Sequence, residues 1–228
     1  MSTRGQQAFR SIASHLVTGV SVVVTMANGE PFATTAGSVV AASWEPPLLA
    51  ILFQTGSRMA EALDQCGRFT VNILSEADHG LARRFARPDR ATGWAALSGA
   101  ESLRRDPFPP VLSRAVAWAD CAVVQTIPIG DHHCFVGEIL ASARGDEAAP
   151  LVYHRGRFRA LGTAVGRPTG RLSKPPISTP PGEGTPSRRG PDVSGAVPVS
   201  PPTCDLGFTT LLAVSPSRPR LHFPAWNG

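Results

Sequence analysis

A mainly β fold, a closed or partly closed β-barrel carrying short helices, is what this 228-residue chain predicts. Runs rich in β-branched and aromatic residues recur at similar length between turn signals. Only two short stretches carry helical spacing. At 42% hydrophobic residues, the chain can build one substantial core.

Taken in order, "VSVVVTM" (20–26) is a β-branched run, and Asn28-Gly29 behind it is a strong hairpin dipeptide. "PFATTAGSVVAAS" (31–43) is the return strand, and "PPLLAILFQ" (46–54) a third strand whose start is set by two prolines. "SRMAEALDQCG" (57–67) places Met59, Ala62 and Leu63 at helical spacing, with Ser57 as N-cap and Gly67 as stop. "RFTVNIL" (68–74) is again a strand, and "SEADHGLARRFA" (75–86) a second short helix. "DCAVVQTIPIGDHHCFVGEILASA" (120–143) is two strands around a tight turn, and "PLVYHRGRFRAL" (150–161) closes the set. No internal repeat stands out.

Composition divides the chain at residue 162. Thirteen of the 22 prolines fall after residue 163, in stretches such as "SKPPISTPPGEGTPSRRGPD". Such a segment supports neither helix nor sheet pairing, so residues 1–162 are read as the domain and 163–228 as a Pro-rich, disordered tail. The net charge of +5 also sits there: residues 1–162 hold 15 Arg against 14 acids, the remainder 7 Lys or Arg against 3. A nearly neutral body has no electrostatic footprint for nucleic acid. The longest apolar runs are too short to cross a bilayer, and the N-terminus lacks the form of a secretory signal. Four scattered cysteines, Cys66, Cys121, Cys134 and Cys204, suit a reduced compartment. The expectation is a cytoplasmic protein without membrane or nucleic-acid partners.

"IGDHHC" (129–134) looks at first like a cluster of metal ligands. Strand alternation argues against it, because His132 and Cys134 point one way while Asp131 and His133 point the other. A closed zinc site needs about four convergent ligands, and no second His/Cys pair lies at a suitable spacing, so no metal is expected. Neither a G-x-S-x-G elbow, a P-loop, an H-E-x-x-H pair nor a G-x-G-x-x-G after a strand occurs, which leaves hydrolase, nucleotide-triphosphatase and dinucleotide-fold readings unsupported. "ATTAGSVVAAS" (33–43) concentrates glycine and small hydroxyl residues. That pattern allows either tight barrel packing or close approach of a planar ligand to the backbone.

Six blocks, "FRSIASHLVTGVSVVVT", "TTAGSVVAASWEPPLLAILFQTGSRMAEAL", "GRFTVNIL", "LARRFA", "GDHHCFVGEI" and "PLVYHRGRFRAL", stand in the order seen in the flavin reductases of the FMN-binding split-barrel family. The chain resembles that family over about residues 8 to 162. The resemblance implies a six-stranded split barrel, a homodimer, and an NAD(P)H:flavin oxidoreductase that supplies reduced FMN or FAD to a flavin-dependent monooxygenase component. It places Thr35, Ala36, Gly37 and Ser38 along the isoalloxazine and ribityl chain, Gln54 and Ser57 at the ribityl and phosphate end, and Arg84, Phe85 and Ala86 beside the flavin, with Arg87 a phosphate partner. It makes His132 the functional histidine beside the nicotinamide of NADH or NADPH, with Asp131 holding the turn and His133 and Cys134 structural. Tyr153, His154 and Gly156 become contacts to the nicotinamide dinucleotide. Thr34 departs from the family's methionine at its position, and Ala41 and Gln54 from its usual serine and asparagine. Two other readings stay open: tightly bound FMN acting on an organic substrate, and a non-catalytic flavin-binding scaffold.

Overall fold

The structure is a computed structural model and describes residues 3–105, 107–145 and 147–162; the expected tail, residues 163–228, lies outside them. The chain runs α1 (Thr3–Ala13), β1 (Thr18–Gly19), β2 (Ser21–Ala27), β3 (Glu30–Ala36), β4 (Val39–Ser43), β5 (Leu48–Gln54), α2 (Arg58–Cys66) and β6 (Arg68–Ile73). A 3-10 turn (Glu76–Asp78) then leads into α3 (His79–Ala86), α4 (Gly93–Leu97), β7 (Ser102–Arg105) and β8 (Phe108–Leu112). The long strands β9 (Ala117–Ile129) and β10 (His132–Arg144) and the short β11 (Val152–His154) and β12 (Arg157–Arg159) complete it.

One antiparallel sheet dominates, in the order β3-β2-β6-β9-β10-β5-β4. Its two edge strands, β3 and β4, are separated in the chain by Gly37 and Ser38 alone. A single stretch of chain therefore forms both edges and curls the sheet back on itself. Counted as one bent strand, β3–β4 makes the sheet six-stranded, the number expected of the barrel. Asn28 (φ 53°) and Gly29 (φ 77°) form the β2–β3 turn, and Ala27 pairs with Glu30 across it. Left-handed backbone at both turn positions is what the Asn-Gly dipeptide supplies at low steric cost.

Strand β2 is buried on both faces. Val23 joins Phe32, Ile51, Leu63, Phe69 and Phe135 inside the barrel under α2, whereas Val22 and Val24 join Leu74, Phe85, Leu97 and Leu112 beneath α3 and α4. A continuous β-branched run, in place of an alternating one, is what two-sided burial requires. Helix α2 ends as its sequence predicts: Ser57 Oγ accepts from Ala60 N at 3.3 Å, and Gly67 N donates to Leu63 O at 2.8 Å. The stretch 75–86 is a 3-10 turn followed by α3, not one helix. Helices α1 and α4 add to the two helices expected, and the β7–β8 hairpin to the strands.

Two core details constrain the barrel. A Cβ on Gly137 would lie 2.5 Å from Phe69 Cζ and 2.9 Å from Cys121 Cβ, so the Phe69 ring occupies the space a side chain would need. Asp120, 1% exposed, accepts from Thr70 Oγ1 at 2.9 Å and pairs with Arg105, whose guanidinium lies 4.1 Å from the Trp118 ring centroid.

Gly137→Val is expected to cost at least about 1–3 kcal/mol by overpacking against Phe69, read as a lowered urea midpoint; wild-type stability contradicts the packing account. Asp120→Ala strands the Arg105 charge and is expected to cost about 3 kcal/mol, the low end for a buried pair because Arg105 is 26% exposed. A loss no larger than at a surface position contradicts it.

Candidate functional site

The bend between β3 and β4 stands at one end of the barrel. Ala36 is the last β3 residue in register, with Ser21, and Val39 the first of β4, with Ile51, so Gly37 and Ser38 fall between the two ladders. Ser38 Oγ donates to Leu52 O at 2.9 Å, which ties the bend to β5. On the other side, a Cβ on Gly37 would lie 3.0 Å from Thr18 Oγ1 of β1, and Thr18 pairs with Tyr153 of β11.

Strand β5 ends at Gln54, whose register partner on β10 is His132. Their turns are joined by Thr55 N, which donates to Asp131 O at 2.9 Å, while Ser57 N donates to Gln54 O at 3.0 Å within the turn that follows β5. His132 Nδ1 lies 2.8 Å from Asp131 Oδ1, and this hydrogen bond, followed by one from Asp131's own backbone, holds the Asp131 carboxyl below the usual carboxylate range. The carboxylate fixes the proton of a neutral imidazole on Nδ1, so Nε2 of this 42%-exposed side chain is left as an acceptor for a ligand.

The structure thus gathers Gly37, Ser38, Gln54, Ser57 and His132 at one barrel end, with Tyr153 reached through Thr18. Tyr153 is partly exposed and packs edge-on against Phe158 at 5.5 Å; His154 is half-buried, and Gly156 (φ 74°) follows Arg155 (φ 50°) in the β11–β12 turn. Other expected residues have structural employment. Thr35 Oγ1 donates to Ala82 O at 2.7 Å and Thr34 Oγ1 to Phe85 O at 3.4 Å, docking α3 onto β3. Ala36 lies in the barrel core and the Phe85 ring is 1% exposed. Arg84 donates to Ala96 O at 2.8 Å and Ser98 O at 3.2 Å, tying α3 to α4. Ala86 is exposed at the end of α3, and Arg87 is engaged by Asp89 in a bidentate pair at 2.9 and 2.7 Å.

His133 sits edge-on to Phe135 at 6.2 Å, and Cys134 is buried. Among the described residues no group of three or more His, Cys, Asp or Glu side chains could hold a metal ion. The donor set fits a flavin: an exposed glycine backbone for a flat ring, a hydroxyl and a carboxamide for its polar edge, and the N-terminus of α2, capped by Ser57, for a phosphate.

Sequence reasoning passed over Arg58 and Arg90. Their guanidinium carbons lie 5.3 and 5.0 Å from the centroid of the same Phe32 ring. Arg58 Nη2 donates to Pro88 O at 2.7 Å, and Arg90 Nε to Ala33 O at 2.8 Å. Arg58 stands directly after the N-cap serine, a position legible in "TGSRMAEAL"; Arg90 comes from a loop distant in sequence.

Residues 13–162 match the family described as "Flavin reductase like domain". The NADH-dependent FMN reductase AsuE2 of Streptomyces nodosus subsp. asukaensis is 34% identical over 161 residues, spanning 69% of this chain and 85% of the relative. The reductase component of the 4-nitrophenol 4-monooxygenase/4-nitrocatechol 2-monooxygenase of Rhodococcus opacus is 31% identical over 150 residues, spanning 66% and 78%. Among solved structures, BorF, the flavin reductase component of a bacterial two-component tryptophan halogenase, matches with a TM-score of 0.65 at 31% identity, covering 70% of this chain and 99% of its own. With its bent-strand barrel and a family match over residues 13–162, this chain belongs to the flavin reductase-like family.

Proposed function

We propose that this protein is an NAD(P)H:flavin oxidoreductase that supplies reduced FMN or FAD to a partner monooxygenase. The observation that carries the reading is the barrel end where Gly37, Ser38, Gln54, Ser57 and His132 converge, in a chain of this family. The reductase relatives named above support the activity, and the monooxygenase and halogenase reductase components among them support the kind of partner.

When bound, the flavin supplies the electron sink that accepts a hydride from the nicotinamide. The chain's task is placement. Gly37 lets a flat ring lie against backbone, and Ser38 Oγ, already donating to Leu52 O, keeps lone pairs to accept from a ring N–H. Gln54 offers both a donor and an acceptor, and the α2 N-terminus favours an anion. His132, oriented by Asp131, would offer Nε2 to the nicotinamide carboxamide and so help to place the nicotinamide against the flavin. The exposed Val124, Ile127 and Ile129 of β9, together with Phe9 and Ile12 of α1, support a second copy of the chain covering the barrel's outer side. No helix among the described residues is long and apolar enough to cross a membrane. The working assignment is a cytoplasmic homodimer whose catalytic unit is residues 1–162.

Oxidation of NADH or NADPH is expected to require added FMN or FAD, in the full chain and in a chain ending at Gly162 alike. Flavin binding without nicotinamide oxidation contradicts the reductase and leaves a flavin-binding scaffold. His132→Ala is expected to lower turnover on the order of ten- to a hundredfold while flavin still binds. Unchanged steady-state kinetics contradict its role.

A further inference from the structure

Thr18, in the two-residue strand β1, stands against the bend with its hydroxyl unspent. A Cβ on Gly37 would lie 3.0 Å from Thr18 Oγ1 and 3.8 Å from Thr18 Cβ, so the hydroxyl oxygen is the part of Thr18 closest to the Gly37 backbone. The other hydroxyls nearby support the scaffold: Thr34 donates to Phe85 O, Thr35 to Ala82 O and Ser38 to Leu52 O. Thr18 Oγ1 makes no hydrogen bond among the described residues, although its side chain is half-buried. A hydroxyl partly withdrawn from water and left without a protein partner has its hydrogen-bonding capacity free for a ligand.

The position of this hydroxyl is fixed by what surrounds β1. Two residues on, Val20 is 1% exposed; its N donates to Leu151 O at 3.0 Å and its O accepts from Leu74 N at 3.0 Å. Thr18 pairs with Tyr153 of β11, and Tyr153 with Phe158 of β12. Directly opposed residues of antiparallel strands share a face, so Thr18, Tyr153 and Phe158 form one row. Phe158 anchors that row against the core cluster of Leu74, Leu112 and Leu151, and the Tyr153 ring stands edge-on to it at 5.5 Å. Threonine is β-branched, which restricts its side-chain rotation further. A hydroxyl set in place before any ligand arrives costs little ordering when one binds.

We propose that Thr18 is a further flavin-contacting residue, its hydroxyl forming a hydrogen bond with the polar edge of the isoalloxazine that rests on Gly37. The proposal rests on the bend seating the flavin, as argued above. A hydroxyl suits that edge, which carries carbonyl oxygens, ring nitrogens and an N–H, because it can both donate and accept. Proximity to Gly37 assigns Thr18 to the flavin, and Tyr153, next in the row, remains for the nicotinamide dinucleotide.

Titration of FMN into the flavin-free full chain, followed by flavin fluorescence, tests the contact in Thr18→Val and Thr18→Ser. Valine keeps the branched shape and loses the hydroxyl, whereas serine keeps the hydroxyl. FMN affinity is expected to weaken about three- to tenfold in Thr18→Val and to stay within about twofold of wild type in Thr18→Ser. Because the hydroxyl has no protein partner to lose, the melting temperature of flavin-free Thr18→Val is expected to equal or exceed that of wild type. Equal weakening in both variants, or a fall in melting temperature that accounts for the loss, makes Thr18 a packing residue and overturns the proposal. Wild-type FMN affinity in Thr18→Val overturns it too. If Gly37→Val weakens FMN binding in that case, the bend still seats the flavin and the Thr18 contact alone falls; if neither variant does, the bend falls with it. A raised KM for NADH at saturating FMN, with FMN affinity unaltered, overturns the assignment to flavin. Failure of a flavin-binding wild type to oxidise NADH or NADPH is a separate result, striking the reductase reading alone.

Discussion

Because Gly37 and Ser38 alone separate β3 from β4, the two edges of the main sheet must approach each other at one place. That covalent constraint organises much else in the molecule. It curls the sheet into a barrel, and it interrupts the ladder where backbone is left facing outward. It also draws β1, the end of β5 and the β9–β10 turn to the same end through Thr18, Leu52 and the Gln54–His132 pair. A sheet edge is ordinarily a liability. Here the exposed break between ladders is the proposed seat of a planar cofactor.

Around this end the polar side chains divide into those that build the scaffold and those left over. Thr34 and Thr35 spend their hydroxyls on α3, Arg84 on α4, and Arg87 on Asp89. Gln54 and His132 keep exposed or partly exposed ends, with His132 pre-oriented by its neighbouring carboxylate. Rigid support for a few uncommitted groups is the arrangement that a reaction governed by ring placement demands. The arginines follow the same division: Arg105 neutralises a buried acid, whereas Arg58 and Arg90 flank the Phe32 ring and make no ion pair among the described residues.

Much of this was legible in the residues. Ser57 and Gly67 mark the ends of α2 because capping is chemistry local to the chain. Asn28-Gly29 and the long runs of β9 and β10 declare their hairpins for the same reason. Helix α1 was passed over although Phe9, Ile12 and Ala13 stand at helical spacing in its sequence. Helix α4 and the β7–β8 hairpin are short, and their apolar residues matter only once α3 and β2 lie beneath them. At the site, Gly37, Ser38, Gln54 and His132 could be anticipated from their order, but the engagement of Thr35 by Ala82 O depends on a contact spanning 47 positions. Arg90 is invisible for the same reason: its relation to Arg58 exists only across Phe32.

The bend as the seat of the flavin is tested most directly by titrating FMN into Gly37→Val and following flavin fluorescence. Gly37 is exposed and outside the left-handed region, but an added Cβ meets Thr18 Oγ1 at 3.0 Å, so Thr18 must shift slightly; a small fall in melting temperature is expected, and circular dichroism verifies that the variant keeps its fold. The account predicts FMN affinity weakened about tenfold or more, since the added methyls occupy the ground where the ring lies against backbone. Wild-type affinity in the folded variant would contradict it and move the flavin away from the bend.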